Sequence, residues 1–278
     1  MADNTDPRAE YKDFYTEDLN LTDSTKDVLI NYSKIPADKL ESHVKRIREK
    51  AWAIHPYPCI GMFRFIQLAI GQHALYKDEI LPRMLTGQQN YLDLGCAFAQ
   101  DVRRLVADGV PSDHCYGSDL RLDFLELGYE LFNDRDSLKS RFIEADIFNA
   151  ESPLKELYGT IDIIDASSFF HLFSYDEQKA VARSTIKLLR PQKDSLVVGR
   201  QIGVDEPGDY SRRMGTGSRY RHNIDSWRKM WDEVGGEVGV KFHVDGVLRE
   251  VDLSSRKHVP SGSRTGKMME FSVRRLGK

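Results

Sequence analysis

The sequence predicts an α/β fold built on a mostly parallel sheet, preceded by a helical extension. Three observations carry this expectation. From Asn90 onward, short apolar runs alternate with segments of helical spacing. The run Tyr91-Leu92-Asp93-Leu94 breaks at Gly95 and is followed by Val102, Leu105 and Val106 at i, i+3 and i+4. Finally, Asp93, Asp119 and Asp146 each stand at the end of one of the first three apolar runs. A strand that ends in a glycine turn and feeds a helix opens a nucleotide-type α/β unit, where backbone approaches a ligand closely and helix N–H groups face it.

Residues 1–89 do not read as part of that sheet and are expected to form a helical N-terminal cap or lid on a core spanning 90–278. Helices are expected over Thr22–Ser33 and from Ala37 to about Ile54, with Thr22 and Pro36 as starting punctuation. In His55-Pro56-Tyr57-Pro58-Cys59-Ile60-Gly61 two prolines force an extended or turning backbone. A more apolar stretch from Met62 to about Leu85 leads into the core. Cys115–Asp119 reads as the second strand and Leu122 to about Asn133 as its helix. Arg141–Asp146 and Thr160–Asp165 read as the third and fourth strands. After an aromatic exit, Ala166 to Phe173, comes a helix over Tyr175–Leu189 with Ser174 as N-cap and Pro191 past its end. Ser195–Gly199 is the fifth strand. Glu206–Asn223 reads as a glycine- and arginine-rich loop too long for mere connection. Ile224–Val234 is helical, carrying Trp227, Met230 and Trp231 on one face. Val238–Val251 and Lys267–Leu276 are the last strands, and the loop between them suits antiparallel partners, not a helical crossover. This is the outline of a Rossmann-like class I methyltransferase: seven strands, mostly parallel, the last antiparallel.

Composition narrows the function. The chain has 278 residues, of which 40% are hydrophobic and 30% charged, the profile of an ordinary globular protein. A formal net charge of −3 gives no electrostatic reason to expect nucleic acid. No apolar run reaches membrane-spanning length, and the first residues lack the apolar core of a signal peptide. Cys59, Cys96 and Cys115 form no C-x-x-C pair, so thiols in a reducing compartment are expected, and a cytosolic location with them. No H-E-x-x-H spacing occurs, and Ser167, Ser168 and Phe169 stand where a catechol-type metal site would want clustered Asp and Asn; no metal is expected.

The three acids name the cofactor. Asp93 can fix the turn and receive the ammonium of an amino-acid ligand. Asp119 is placed to accept from two ribose hydroxyls, and Asp146 from an adenine amino group while Ile147 packs on the ring. A dinucleotide would want G-x-G-x-x-G, but Ala97 and Ala99 stand where further glycines belong, and no Walker motif occurs. S-adenosyl-L-methionine, an adenosine with an amino-acid tail and no phosphate, fits. The expected cofactor residues are Asp93, Gly95, Cys96, Asp119, Leu120, Asp146, Ile147 and Ala166.

Asp93-Leu94-Gly95-Cys96, Gln100-Asp101, Gly117-Ser118-Asp119-Leu120 and the cap motif His55-Pro56-Tyr57-Pro58-Cys59 resemble the fungal meroterpenoid-pathway methyltransferases over nearly the whole chain. That resemblance implies methyl-ester formation on polyketide–terpenoid hybrids derived from dimethylorsellinic acid, and it suggests a homodimer. The cap apolar residues Phe63, Phe65 and Ile70 would then cover either substrate or a second subunit.

Methyl transfer from a sulfonium is an in-line displacement, so the acceptor decides what else is needed. A carboxylic acid with pKa about 4 is already ionised at neutral pH; a phenol near 10 needs a base. His171, just past the fourth strand, is the catalytic candidate, as donor to a carboxylate or base toward a hydroxyl. Arg64, Arg200 and the group Arg212, Arg213, Arg219 and Arg221 are candidate carboxylate anchors, since guanidinium pairs carboxylate bidentately. Phe14, Tyr15, Phe63, Phe169, Phe170 and Trp227 are candidates to line an apolar acceptor pocket. Phe169 and Phe170, adjacent in sequence, cannot both enter one core from a regular strand, so one is expected to face substrate. The rivals are a hydroxyl O-methyltransferase with His171 as base, a catalytically silent cofactor-binding assembly protein, and more distantly a nicotinamide dehydrogenase.

Overall fold

The computed structural model describes residues 11–211, 217–252 and 265–277. In the N-terminal region, the Thr22 side chain accepts from the Thr25 amide and starts α1 (Asp23–Asp27), which runs on as one π-helical turn, Val28–Tyr32. Helix α2 (Leu40–Ile54) buries Leu40, Val44, Ile47 and Ala51 along one stripe. His55 and Tyr57, each preceding a proline, turn extended. Pro58 then sits at the start of α3 (Pro58–Gly61), where its missing N–H costs nothing; the motif is part turn, part helix. The apolar stretch beyond it is broken into single 3-10 and π turns before α4 (Leu81–Leu85).

The core follows as β1 (Tyr91–Leu94), α5 (Gln100–Ala107), β2 (Cys115–Asp119), α6 (Leu122–Phe132), β3 (Arg141–Glu144), β4 (Ile163–Asp165), α7 (Tyr175–Leu188), β5 (Leu196–Gly203), β6 (Gly208–Ser211), β7 (Ser218–Arg221), α8 (Ile224–Val238), β8 (Lys241–Asp252) and β9 (Thr265–Gly277). The main sheet has seven strands in the order β3-β2-β1-β4-β5-β9-β8. Strands β1 to β5 are parallel, and β9 runs antiparallel to both its neighbours. The order reverses between β1 and β4, the place where open α/β sheets form a crevice at their carboxyl ends.

Several boundaries differ from those expected. Strand β3 stops at Glu144, leaving Asp146 in the following turn, where its Oδ1 accepts from the Phe148 amide. Strand β5 runs on to Gly203 because β9 is long enough to pair with it as far as Lys267. Helix α8 continues to Val238 and is ended by Gly239 at φ 70. The region 206–223 contains a small antiparallel hairpin, β6–β7, in a sheet of its own.

Two apolar layers enclose the sheet. Leu92, Ile164 and Val197 pack against α7 and α8 with Phe170, Trp227 and Trp231. Tyr91, Ile163, Leu196 and Val198 face α5 and the turns around Ile70 and Tyr76. A third cluster joins Val28, Val44, Ile47, Trp52, Phe63 and Phe65 of the N-terminal region to Phe98, Phe124, Leu127, Leu131 and Phe132 of the core. The N-terminal segment is thus packed into the molecule through shared side chains.

Candidate active site

The site begins at the turn after β1. Gly95, Ala97 and Ala99 all take left-handed backbone, at φ 77, 48 and 51. The two alanines adopt the conformation for which glycine would be expected, at a cost of roughly 1–2 kcal/mol each. Several bonds hold them there. The Gly95 and Cys96 amides donate to the Ser118 carbonyl at 2.7 and 3.0 Å, and the Ala97 amide donates to Asp119 Oδ2 at 2.8 Å. Between the alanines, Phe98 is fully buried, its ring 4.7 Å from Phe65 and 5.6 Å from Phe124. Its carbonyl accepts from Arg103 Nη1 at 2.7 Å, and Arg103 is itself clamped by both oxygens of Asp134 at 2.8 and 3.0 Å. Cys96 is buried beneath the turn, its sulfur where a side chain on Gly117 would fall.

Above that turn lies a nest of carboxylates. Asp93 and Asp165 are register partners on adjacent strands, and Asp101 enters from the first turn of α5. All three are buried. Asp165 Oδ1 accepts from the Ser167 amide and hydroxyl, and its Oδ2 from the Tyr91 hydroxyl. Asp101 Oδ1 accepts from the Ile70 amide at 2.9 Å. Asp93 Oδ2 has no hydrogen-bond partner at all. Burial pushes the Asp93 carboxyl well above the usual range, and Asp165, Asp101 and Asp119 push it further. Burial and Asp165 raise Asp101 to about 8, against the Ile70 amide and Arg200. Burial likewise raises Asp165 and Asp119, each opposed by its own hydrogen bonds.

Of the expected cofactor residues, Asp93, Gly95, Cys96, Asp119 and Ala166 lie at or just beyond the ends of β1, β2 and β4, around the switch point. Asp119 already serves the Ala97 and Arg121 amides. Asp146 and Ile147 follow β3 in an exposed turn, joined to β2 by the bond from the Ala145 amide to the Asp119 carbonyl. Leu120 and Phe148 stand out at 62% and 45% exposure, uncovered apolar groups on the loops after β2 and β3.

A second group gathers around His171, in the 3-10 turn Phe170–Leu172 after β4. Its Nδ1 is buried without a hydrogen-bond partner. Burial, then the fields of Arg219, Arg221 and Arg64, lower its pKa to about 3. These cations come from distant segments. Arg64 follows Phe63, whose left-handed backbone (φ 54) starts a 3-10 turn. Arg219 and Arg221 alternate along β7, which is docked on the His171 turn by the bond from the Tyr220 amide to the Phe173 carbonyl and by Gln178 Nε2, which donates to the Phe173 and Tyr220 carbonyls. Cys59 lies within the fields of both Arg64 and Asp119.

The candidate acceptor residues divide. Phe169 is half-buried and lies over Gly95, its ring filling the place where a Cβ there would sit. Phe170 and Trp227 are fully buried, with ring centroids 5.0 Å apart, and pack with Trp231 and Phe271. That corrects the reading of both as pocket wall: the 3-10 turn rotates Phe170 inward, and the 227/230/231 spacing is the core face of α8. Phe14 is buried against Gly61, and Phe63 is buried with the Arg48 guanidinium 4.5 Å from its ring centre. The Tyr15 hydroxyl is bonded to Glu49. Arg200 belongs elsewhere: it donates to Gln72 and Gln67 and lines a cavity of about 330 Å³ with His73, Ser167, Arg249 and Glu270. Arg212 and Arg213 lie outside the described residues. Asp165 was not among the expected site residues, and Asp101 entered only with Gln100 through the family resemblance, without a role. Asp165 carried a signal, since Ile163-Ile164-Asp165 ends its run in an acid as Tyr91-Leu92-Asp93 does; the bond from the Ile70 amide to Asp101 had none.

These residues fit an adenosine with a cationic amino-acid tail. An orphaned, buried carboxylate oxygen at Asp93 needs a hydrogen-bond donor or a cation, and apolar groups stand exposed where a base could lie.

Residues 14–66 match the model of the meroterpenoid methyltransferase N-terminal domain. The chain is 44% identical to the O-methyltransferase phiE of a fungal species, over 81% of this chain and 74% of the relative. It is 40% identical to the methyltransferase adrK of Penicillium rubens, over 97% of this chain and 94% of the relative. It is also 40% identical to the asnovolin E/chermesin D methyltransferase nvfJ of Aspergillus novofumigatus, over 84% and 83% of the two chains.

Proposed function

The chain belongs to the fungal meroterpenoid methyltransferase family, and within this S-adenosylmethionine-dependent O-methyltransferase activity we propose that it forms a methyl ester on the carboxylate of an apolar, meroterpenoid-type acid. The observation that carries the proposal is the convergence of Arg64, Arg219 and Arg221 on His171. Three guanidinium fields around a neutral imidazole favour an anion, and guanidinium matches a carboxylate's two oxygens. A histidine held at about 3 is a poor base for a phenol near 10, but its neutral ring can still donate one hydrogen bond. No proton has to leave an ionised acid, so positioning and dry surroundings suffice.

Bound S-adenosylmethionine supplies a methyl group on a cationic sulfur, open to displacement by an oxygen nucleophile. Asp93 would hold its ammonium, Asp119 its ribose hydroxyls, Asp146 and Ile147 its adenine edge and face, with Leu120 beside them. Phe169 lies over Gly95, and Ala166 would border the crevice from the end of β4. His171 and the arginines would orient the acceptor oxygen.

Incubation with methyl-labelled cofactor and a carboxylic-acid meroterpenoid, followed by mild hydroxide, is the test. An ester releases the label as methanol; a product that keeps its label is an ether and refutes the proposal. With the cofactor held at saturation, the same assay run against pH is expected to show no acidic limb in the histidine range.

A further inference from the structure

We infer that Asp101 and Asp165 bind the ammonium of the cofactor's amino-acid tail together with Asp93, and that this three-carboxylate nest gives up a proton as the ammonium arrives. The inference rests on the cofactor reading above. The nest is built in layers: Asp93 and Asp165 from neighbouring strands, Asp101 from α5 over them, and the Ile70 turn as a lid whose amide fixes Asp101. Asp165 and Asp101 have donors of their own, whereas Asp93, 4% exposed, keeps Oδ2 unpartnered. That orphaned oxygen points to a ligand that brings its own N–H.

The groups facing Asp93 and its partners explain why a proton is held there. Around Asp93 stand Asp165, Asp101 and Asp119, all acids, with the Tyr91 hydroxyl and the Cys96 thiol nearby. The one cation that reaches the nest acts a step away: Arg200 reaches Asp101 while bonded to Gln72 and Gln67. His73 lies beside Asp165 with its Nε2 bonded to the Phe271 carbonyl and its Nδ1 accepting from the Leu75 amide. Three buried carboxylates cannot all ionise with so little compensation, so at least one stays a neutral acid, and burial with like charge places it on Asp93. Among the described residues no three His, Cys, Asp or Glu groups are arranged to hold a metal ion. A primary ammonium instead offers three separate N–H donors to separate oxygens. As Asp93 ionises against it, the O–H bond of the acid breaks, its proton passes to solvent, and the ammonium keeps all three of its own.

Calorimetric titration of the full chain with S-adenosylhomocysteine, near neutral pH in buffers of differing ionisation enthalpy, tests this without turnover. About one proton released per ligand bound is expected, with affinity rising as pH rises. Titration with 5′-methylthioadenosine, which keeps the adenosine and lacks the amino-acid tail, should release none. Asp101→Asn should weaken S-adenosylhomocysteine by about tenfold or more, reduce the proton count, and leave 5′-methylthioadenosine affinity unchanged. Buffer-independent heat with S-adenosylhomocysteine, or equal proton release by both nucleosides, overturns the inference while the cofactor reading stands. Failure of both nucleosides to bind overturns the cofactor reading, and the inference with it.

Discussion

Two alanines within three residues hold left-handed backbone at the turn after β1, and the side chain between them shows why. Turning the chain this way plants Phe98 among Phe65 and Phe124, and the packing offsets the local strain. Ala97→Gly is therefore expected to keep unfolding free energy within about 1 kcal/mol, relief of strain balancing added chain entropy. Ala97→Val, β-branched at φ 48, should cost more than about 2 kcal/mol in a urea titration. On the acceptor side, Arg64→Gln or Arg221→Gln should raise the acceptor KM about 10- to 100-fold and leave S-adenosylhomocysteine affinity unchanged. The acids at strand ends were legible in the sequence because their positions repeat from strand to strand. The gathering of Arg64 with Arg219 and Arg221 was not, because residues so far apart in the chain meet only through the packing of the N-terminal segment and the docking of a hairpin. Trp227 was misread for a related reason: an aromatic residue's type does not reveal whether its helix face meets a ligand or a core.

Among elements, the turn depends most on what lies behind it. Arg103 and Asp134 form a buried, bidentate pair that holds the Phe98 carbonyl, and the Tyr32 hydroxyl reaches the same Asp134. Asp134→Ala leaves a buried guanidinium without its counter-charge and should cost about 3–5 kcal/mol, measured by denaturant unfolding. Gly95→Ala drives a methyl into the Phe169 ring on backbone at φ 77, so it should abolish S-adenosylhomocysteine binding even where the protein folds. The alternation of strand and helix from Asn90 to Gly199 was readable because apolar period and glycine punctuation agree there. Hairpin β6–β7 was hidden: its strands are short and polar, half-exposed or exposed throughout, and carry no apolar alternation to announce them.

For the whole molecule, the buried acids and histidines set opposite dependences on pH. Asp101 has a folded pKa of about 8, above its unfolded value, so the folded protein binds more protons and loses stability as pH rises toward 8. His171 and His222, both lowered to about 3 chiefly by burial, act the other way, and their contribution is complete once pH passes the ordinary histidine value near 6.5. Melting temperature without ligand should therefore decline between about pH 6.5 and 8, and S-adenosylhomocysteine should raise it more at the upper end than the lower. No helix among the described residues is long and apolar enough to cross a membrane. The residues proposed to hold the methyl donor are set around the central sheet and tied to the N-terminal segment through Phe98. Arg219 and Arg221, by contrast, ride on a hairpin outside that sheet, fastened through Tyr220 and Gln178. On the proposed reading, swapping that finger among relatives would change which acid is taken up and leave every proposed contact to the methyl source as it was.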